Sequence, residues 1–127
     1  MRILLVEDDR SLSRAVSTIL QKNNYTVDCV DNGQLALDYL DHDIYDMVIM
    51  DIMMPVMNGY EAAKTIRSLD REDAKVIPII AMTANAFTED KMRAKEAGMD
   101  EHIAKPVDGK LLVKVISEFV ENKEEDS

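Results

Sequence analysis

The sequence has 127 residues, of which 46% are hydrophobic and 31% are charged, which predicts one globular domain around one core. Its net charge of −10 argues against direct nucleic acid binding, because a phosphate backbone is bound by clustered Lys and Arg. No apolar run approaches the ~20 residues of a membrane span, and no signal peptide is recognised. The single cysteine, Cys29, fits a reducing compartment, so we expect a cytoplasmic domain with no membrane segment.

Predicted strands and helices alternate along the whole chain. Short apolar runs, several of which lead directly into a polar or charged residue, are typical of buried parallel strands. Between them, apolar residues recur at helical spacing. The predicted strands cover residues 2–6, 25–30, 47–50, 76–82 and 99–104, and the predicted helices cover 12–20, 35–40, 58–69, 86–97 and 108–119.

Five strand–helix units of this length predict a single doubly wound (βα)5 domain of the α/β class. Its parallel five-stranded sheet would be covered by helices on both faces, with right-handed crossovers. We assign residues 1–121 to this domain. Residues 122–127 are mostly acidic and predict a frayed C-terminal tail.

Chemically active side chains follow four of the predicted strands. They are Glu7 and Asp8 after the first strand, Asp51 after the third, Thr83 after the fourth and Lys105 after the fifth. Ligands of such sheets bind at the carboxyl ends of the strands, so we expect these side chains to meet. Three carboxylates in one place should bind a hard cation such as Mg²⁺. A hydroxyl and an ammonium group suit a transferring phosphoryl group, with the central Asp51 as nucleophile.

Four segments of the sequence resemble the signature segments of response-regulator receiver domains, and the likeness runs from residue 2 to about 120. The segments are Ile3–Asp9, Asp51–Gly59, Met82–Ala86 and Ile103–Pro106. The resemblance implies a flavodoxin-like fold with strand order 2-1-3-4-5. Residues 82–87 and 102–107 look most like receivers of hybrid sensor kinases or small stand-alone receivers.

The resemblance also implies a role for each residue of the site. Asp51 would be the phosphorylation site, Asp8 would bind Mg²⁺ directly and Glu7 would bind it through water. The backbone carbonyl of Met53 would complete the protein ligands of the metal. Thr83 and Lys105 would contact the phosphoryl oxygens.

Two residues depart from the family pattern. Glu7 stands where the family more often has Asp, which changes reach but not charge. His102 stands at the switch position, where Tyr or Phe is usual, and it would move together with Thr83.

The fourth helix has a weak apolar pattern and the fifth has more apolar residues than one sheet face can bury. The predicted output face is therefore the fourth helix, fifth strand and fifth helix, which could also join two copies.

The function implied is phosphorelay signalling. A histidine kinase or a histidine-phosphotransfer domain would donate a phosphoryl group to Asp51, and the domain would change conformation and control a partner. It would catalyse its own phosphorylation and dephosphorylation without being a metabolic enzyme. Two alternatives stay open: an interaction module independent of phosphorylation, and a Mg²⁺-dependent phosphohydrolase, although Met53 stands where that class has a second acid.

Overall fold

The computed structural model describes residues 1–53, 57–83 and 88–125, and it does not describe the side chains of 88–91 and 122–125. The strands are β1 (Arg2–Val6), β2 (Thr26–Val30), β3 (Met47–Asp51), β4 (Ile79–Thr83) and β5 (Glu101–Ala104). The helices are α1 (Arg10–Lys22), α2 (Gly33–His42), α3 (Gly59–Ser68), α4 (Glu72–Val76), α5 (Thr88–Glu96) and α6 (Gly109–Glu125).

The five strands form one parallel sheet in the order β2-β1-β3-β4-β5, which confirms the predicted fold. Successive side chains of a strand point to opposite faces. Leu4 and Val6 accordingly pack into the core beneath α2, α3, α4 and α5, whereas Ile3 and Leu5 pack beneath α1 and α6. Every residue of the central strand β3 is buried, so the sheet holds the carboxyl end of this strand rigidly.

The fourth strand starts later than the sequence predicts. Val76 belongs to the short helix α4, and β4 begins at Ile79, so the predicted strand start at residue 76 is wrong. Pro78 has no N–H group for the sheet and stands just before β4, where its carbonyl oxygen accepts a bond of 2.9 Å from Val48 N–H. Upstream of it, Glu72 and Asp73 favour the start of a helix.

The ends of the last two helices also bear on the predictions. The predicted start of the fourth helix at residue 86 lies outside the described residues, and α5 is described from Thr88. The backbone of α6 continues to Glu125, so helix occupies most of the segment predicted as a frayed tail. Among the described helices, none is long and apolar enough to span a bilayer.

Candidate functional site

The predicted acids lie close together at the carboxyl edge of the sheet. Glu7 and Asp8 follow β1, and Asp51 is the last residue of the neighbouring strand β3. One carboxylate oxygen from each of the three lies within 4.8 Å of the others, as the sequence predicts. Asp8 is exposed, whereas Glu7 and Asp51 are each only 3% exposed. Two buried carboxylates and one exposed carboxylate therefore form a cluster that opens to solvent on the Asp8 side.

Lys105, the residue directly after β5, is the cation that contacts this cluster. Its Nζ lies 3.0 Å from Asp51 Oδ2 and 3.3 Å from Glu7 Oε2. Burial lowers the pKa of Lys105, but its hydrogen bond with Asp51 and the charges of Asp51 and Glu7 outweigh burial, so the pKa is raised overall. The Lys105 N–H group donates to Thr83 O at 2.7 Å, which fixes the start of this side chain against β4. Lys105 is thus held as a charged group against the central carboxylate.

Glu7 is the carboxylate whose burial is least compensated. Its Oε1 accepts a hydrogen bond of 3.1 Å from Asp9 N–H, whereas its buried Oε2 has the Lys105 ammonium at 3.3 Å but no well-aligned hydrogen bond among the described residues. The pKa of Glu7 is raised to about 7: burial and the charge of Asp51 raise it, and the Asp9 hydrogen bond and Lys105 lower it by less. An oxygen in this state is a ready ligand for a cation. Because the cluster offers only carboxylate oxygens, it fits a hard ion such as Mg²⁺ or Ca²⁺.

The structure places the remaining predicted residues in two regions. Thr83 ends β4 beside the cluster and is 6% exposed. Met53 N–H donates to Asp51 Oδ1 at 3.1 Å, so the backbone after β3 bends around this carboxylate. His102 lies further back on β5, where it is paired with Ala81, and its Nδ1 lies 3.3 Å from Glu101 Oε1. Residues 54–56 and 84–87 of the matching segments lie outside the described residues.

Gly59 is a residue of the site that the sequence reasoning missed. It begins α3, and its N–H donates to Ile52 O at 2.8 Å. A Cβ atom at this position would lie 2.6 Å from Asp51 O and 2.8 Å from Ile52 Cα. Asn58 caps the helix by accepting a bond of 2.9 Å from Glu61 N–H. The start of α3 therefore presses directly on the backbone that carries Asp51, and the Asn58–Gly59 pair was the only signal of it in the sequence.

Gly59→Ala is expected to lower the free energy of unfolding by ~1–3 kcal/mol, because the added methyl group must displace backbone atoms. The displaced backbone belongs to Asp51 and Ile52, so their amide resonances should also shift. The matched control is Gly109→Ala in α6, whose Cβ would meet the movable end of the Ile19 side chain at 3.1 Å. Urea denaturation of the two variants gives the comparison. Equal stability of Gly59→Ala and the native chain would contradict the close contact.

Comparison with known proteins shows what this arrangement is similar to. A family model described as response regulator receiver domain matches residues 3–117. The hybrid signal transduction histidine kinase M of Dictyostelium discoideum is 40% identical over 126 residues, which cover 97% of this chain and 5% of that kinase. The transcriptional regulatory protein DltR of Streptococcus agalactiae is 37% identical over 106 residues, which cover 84% of this chain and 46% of that protein. The chain thus spans less than half of these curated relatives.

Solved structures are similar along nearly the whole chain. The receiver domain of sensor histidine kinase PA1611 from Pseudomonas aeruginosa has a TM-score of 0.84 and 34% identity, with 92% of this chain and 94% of that one covered. It holds a magnesium ion coordinated in its active site cleft. The chemotaxis response regulator CheY4 of Vibrio cholerae has a TM-score of 0.86 and 31% identity, with 92% and 96% covered.

Proposed function

We infer the detailed function from one premise: this chain belongs to the response regulator receiver domain family, whose model matches residues 3–117. It is a receiver domain of the two-component phosphorelay type. We propose that Asp51 is its phosphoryl acceptor. The observation that supports this assignment most is the contact of 3.0 Å between the buried Asp51 Oδ2 and Lys105 Nζ, beside two further acids.

The proposed reaction transfers a phosphoryl group from a histidine nitrogen to a carboxylate oxygen. A carboxylate oxygen of Asp51 attacks the phosphorus of a phosphohistidine, the phosphorus–nitrogen bond breaks, and the imidazole leaves as the aspartyl phosphate forms. The ammonium group of Lys105 stabilises the negative charge of the transferring oxygens, and the hydroxyl group of Thr83 donates to one of them. Water later attacks the same phosphorus and releases phosphate, which returns Asp51 to a carboxylate.

We propose Mg²⁺ as the metal of this site, held by Glu7, Asp8 and Asp51 with the backbone carbonyl of Met53 as a further ligand. Support comes from the carboxylate cluster, from the buried Glu7 Oε2, which has no well-aligned hydrogen bond among the described residues, and from the magnesium ion in the similar PA1611 receiver. When bound, Mg²⁺ neutralises negative charge on the carboxylates and on phosphoryl oxygens. Thr83 and Lys105 act on the phosphoryl oxygens from the β4 and β5 side.

We further propose the partners and the setting of this domain. A histidine kinase or a histidine-phosphotransfer domain supplies the phosphoryl group, and residues 1–121 suffice as the receiver domain. The net charge of −10 favours protein partners over direct contact with nucleic acid. The exposed thiol of Cys29 is consistent with work in the cytoplasm.

The proposed output face consists of α5, β5 and α6, and a second copy could also bind there. Thr83 and His102 support it, because they lie on the neighbouring strands β4 and β5 and could move together. Part of the apolar surplus expected on α6 is buried in the core, and part remains accessible to solvent. Leu112, Val115 and Ile116 are buried, and Phe119 and Val120 pack against the same core. Leu111 is 45% exposed, and Val113, Phe119 and Val120 are half-buried.

Incubation with acetyl phosphate separates the proposed function from its two alternatives. Phosphoryl transfer to Asp51 gives a chain that carries a label until it hydrolyses slowly. An interaction module independent of phosphorylation gives no label, and a phosphohydrolase gives steady release of phosphate from its substrate with little label. We expect the first result in millimolar Mg²⁺, and the second or third would contradict the proposal.

Mg²⁺ should stabilise the fold, because only the folded chain brings the three carboxylates together. At a concentration tenfold to a hundredfold above the dissociation constant, the expected gain is ~1.4–2.7 kcal/mol, which raises the melting temperature by several degrees. The comparison is a thermal melt in chelator against one in millimolar Mg²⁺. Asp8→Asn is the control, since it removes an exposed acid from the cluster and should abolish most of the gain. Identical melting curves for the native chain would contradict the metal site.

A further inference from the structure

We propose that the groove over the open edge of β2 binds an extended, acidic segment of a partner protein, which adds to the sheet as a sixth strand. The groove has a volume of about 470 Å³, with α1 as one wall, α2 as the other and Cys29 and Val30 as its floor. It is separate from the output face at β5, because β2 and β5 lie at opposite edges of the sheet. Its existence does not depend on the role of Asp51.

The backbone of β2 presents the groups that such a strand needs. Thr26 N–H donates to Met1 O at 3.0 Å, and Val30 O accepts from Glu7 N–H at 3.0 Å. Alternate residues of a parallel strand bond the same neighbour, so Thr26, Asp28 and Val30 face β1. The N–H and C=O groups of Val27 and Cys29 therefore point to the open edge of the sheet. These four groups could bond an added strand at the usual spacing of ~4.8 Å.

The two edges of the sheet differ in how they are protected against pairing with a further strand. Edge strands are usually guarded by charges, prolines or short length. β5 has four residues, and the carboxylate of Glu101 accepts a bond of 3.0 Å from His102 N–H. β2 has five residues, and its one charged side chain, Asp28, is bound by Tyr45 Oη at 2.6 Å and by Arg2 at 2.8 Å. The charge of Asp28 is thus engaged elsewhere, which leaves the β2 edge the less guarded of the two.

The charged side chains on the α1 wall of the groove indicate an acidic partner. Four of the described arginines each contact an acid or an aromatic ring: Arg2, Arg67, Arg71 and Arg93. Arg10 and Arg14 of α1 contact neither within the described part of the chain, and both line the groove. The groove also holds the acids Glu7 and Asp31, but Glu7 is buried against Lys105, so the α1 wall presents two exposed arginines that can bind carboxylates of a partner. The exposed acid of the groove, Asp31, accepts a bond from the Asn32 side chain at 3.1 Å.

The opposite wall indicates that the partner also carries apolar side chains. Leu35 and Tyr39 lie one turn apart on α2, each is 39% exposed, and both line the groove. Alternate side chains of an added strand would face the two walls, so a sequence that alternates acidic and apolar residues fits both of them. Glu7 lines the end of the groove, so a bound segment would lie next to the carboxylate cluster. A partner docked here is therefore kept close to the site of phosphorylation.

The probe is a short synthetic peptide in which valine and glutamate alternate, compared with the same peptide carrying lysine in place of glutamate. We expect saturable binding of the glutamate peptide, and slower hydrogen exchange of the Val27 and Cys29 amides when it is bound. The double variant Arg10→Glu/Arg14→Glu should weaken binding by about tenfold or more. Lys22→Glu, at the far end of α1, is the control for charge reversal outside the groove and should bind as the native chain does.

Val27→Pro gives a second test, because it removes an outward N–H group and no bond to β1. It should reduce affinity for the glutamate peptide while the amide spectrum shows a folded chain. The proposal is overturned if no peptide binds, if the lysine peptide binds equally well, or if binding leaves exchange at Val27 and Cys29 unchanged. Protection of these amides by self-association, without peptide, would instead assign the groove to a second copy and would also overturn it.

Discussion

Asp51→Asn is expected to lower labelling by acetyl phosphate by on the order of a thousandfold or more, to the level of a control without donor. The substitution keeps the size of the side chain but removes the carboxylate oxygen that attacks phosphorus. Asp51 is 3% exposed and lies against Lys105, so no other acid of the cluster has the same buried contact at 3.0 Å. Radiolabelled or mass-resolved phosphorylation in millimolar Mg²⁺ measures the effect.

Asp9→Asn is the matched control for this experiment. Asp9 is exposed near the same edge, and its Oδ1 caps α1 by accepting from Ser11 N–H at 2.9 Å and from Leu12 N–H at 3.2 Å. Asn is an equally good cap, so this variant should fold and be labelled normally. If Asp51→Asn were labelled at the rate of the native chain, the acceptor would be a different residue.

Lys105→Ala is expected to reduce the rate of phosphorylation by about a hundredfold to a thousandfold, since it removes the cation that stabilises the transferring oxygens. Its effect on Mg²⁺ should have the opposite sign. Lys105 Nζ lies 3.3 Å from Glu7 and 3.0 Å from Asp51, two of the proposed metal ligands. Removing this charge leaves the carboxylates more negative, so affinity for Mg²⁺ should be retained or increased.

Calorimetric titration measures the affinity of Lys105→Ala for Mg²⁺, because the chain has no tryptophan to report binding by fluorescence. Lys110→Ala, an exposed lysine in the first turn of α6, is the control for the loss of one positive charge. A large loss of Mg²⁺ affinity in Lys105→Ala alone would mean that the lysine supports the metal site, against the assigned role.

The fold and the gathering of the site could be predicted because both depend on local patterns. Short apolar runs that end in Glu7, Asp51 or Thr83 indicate strands whose carboxyl ends meet at one edge of a parallel sheet. The chemistry of the cluster then follows from residue type, since carboxylates beside a lysine suit a metal and a phosphoryl group. The structure places these groups within reach of one another, as the contacts of Asp51 show.

The missed features depend on the paths of connecting segments, which periodicity does not encode. The helix α4 and the contact of Gly59 with the Asp51 backbone depend on the paths of the connecting segments after β3 and before β4. From the sequence, Lys105 was assigned a role only toward the phosphoryl oxygens. Its contact with Glu7 reflects the reach of a long side chain in a crowded cluster, which a sequence pattern does not encode. The groove at β2 was likewise not predicted, because it depends on which residues of β2 turn their N–H and C=O groups away from β1.

The measurement that tests the central claim most directly is the location of the phosphoryl group. The native chain is treated with acetyl phosphate in millimolar Mg²⁺, digested quickly at low temperature, and its peptides are sequenced by mass spectrometry. We expect one phosphoryl group per chain, on Asp51, with hydroxylamine removing it as it removes any acyl phosphate. A phosphoryl group on another residue, or none under conditions in which Mg²⁺ raises the melting temperature, would contradict the assignment of Asp51 as the acceptor.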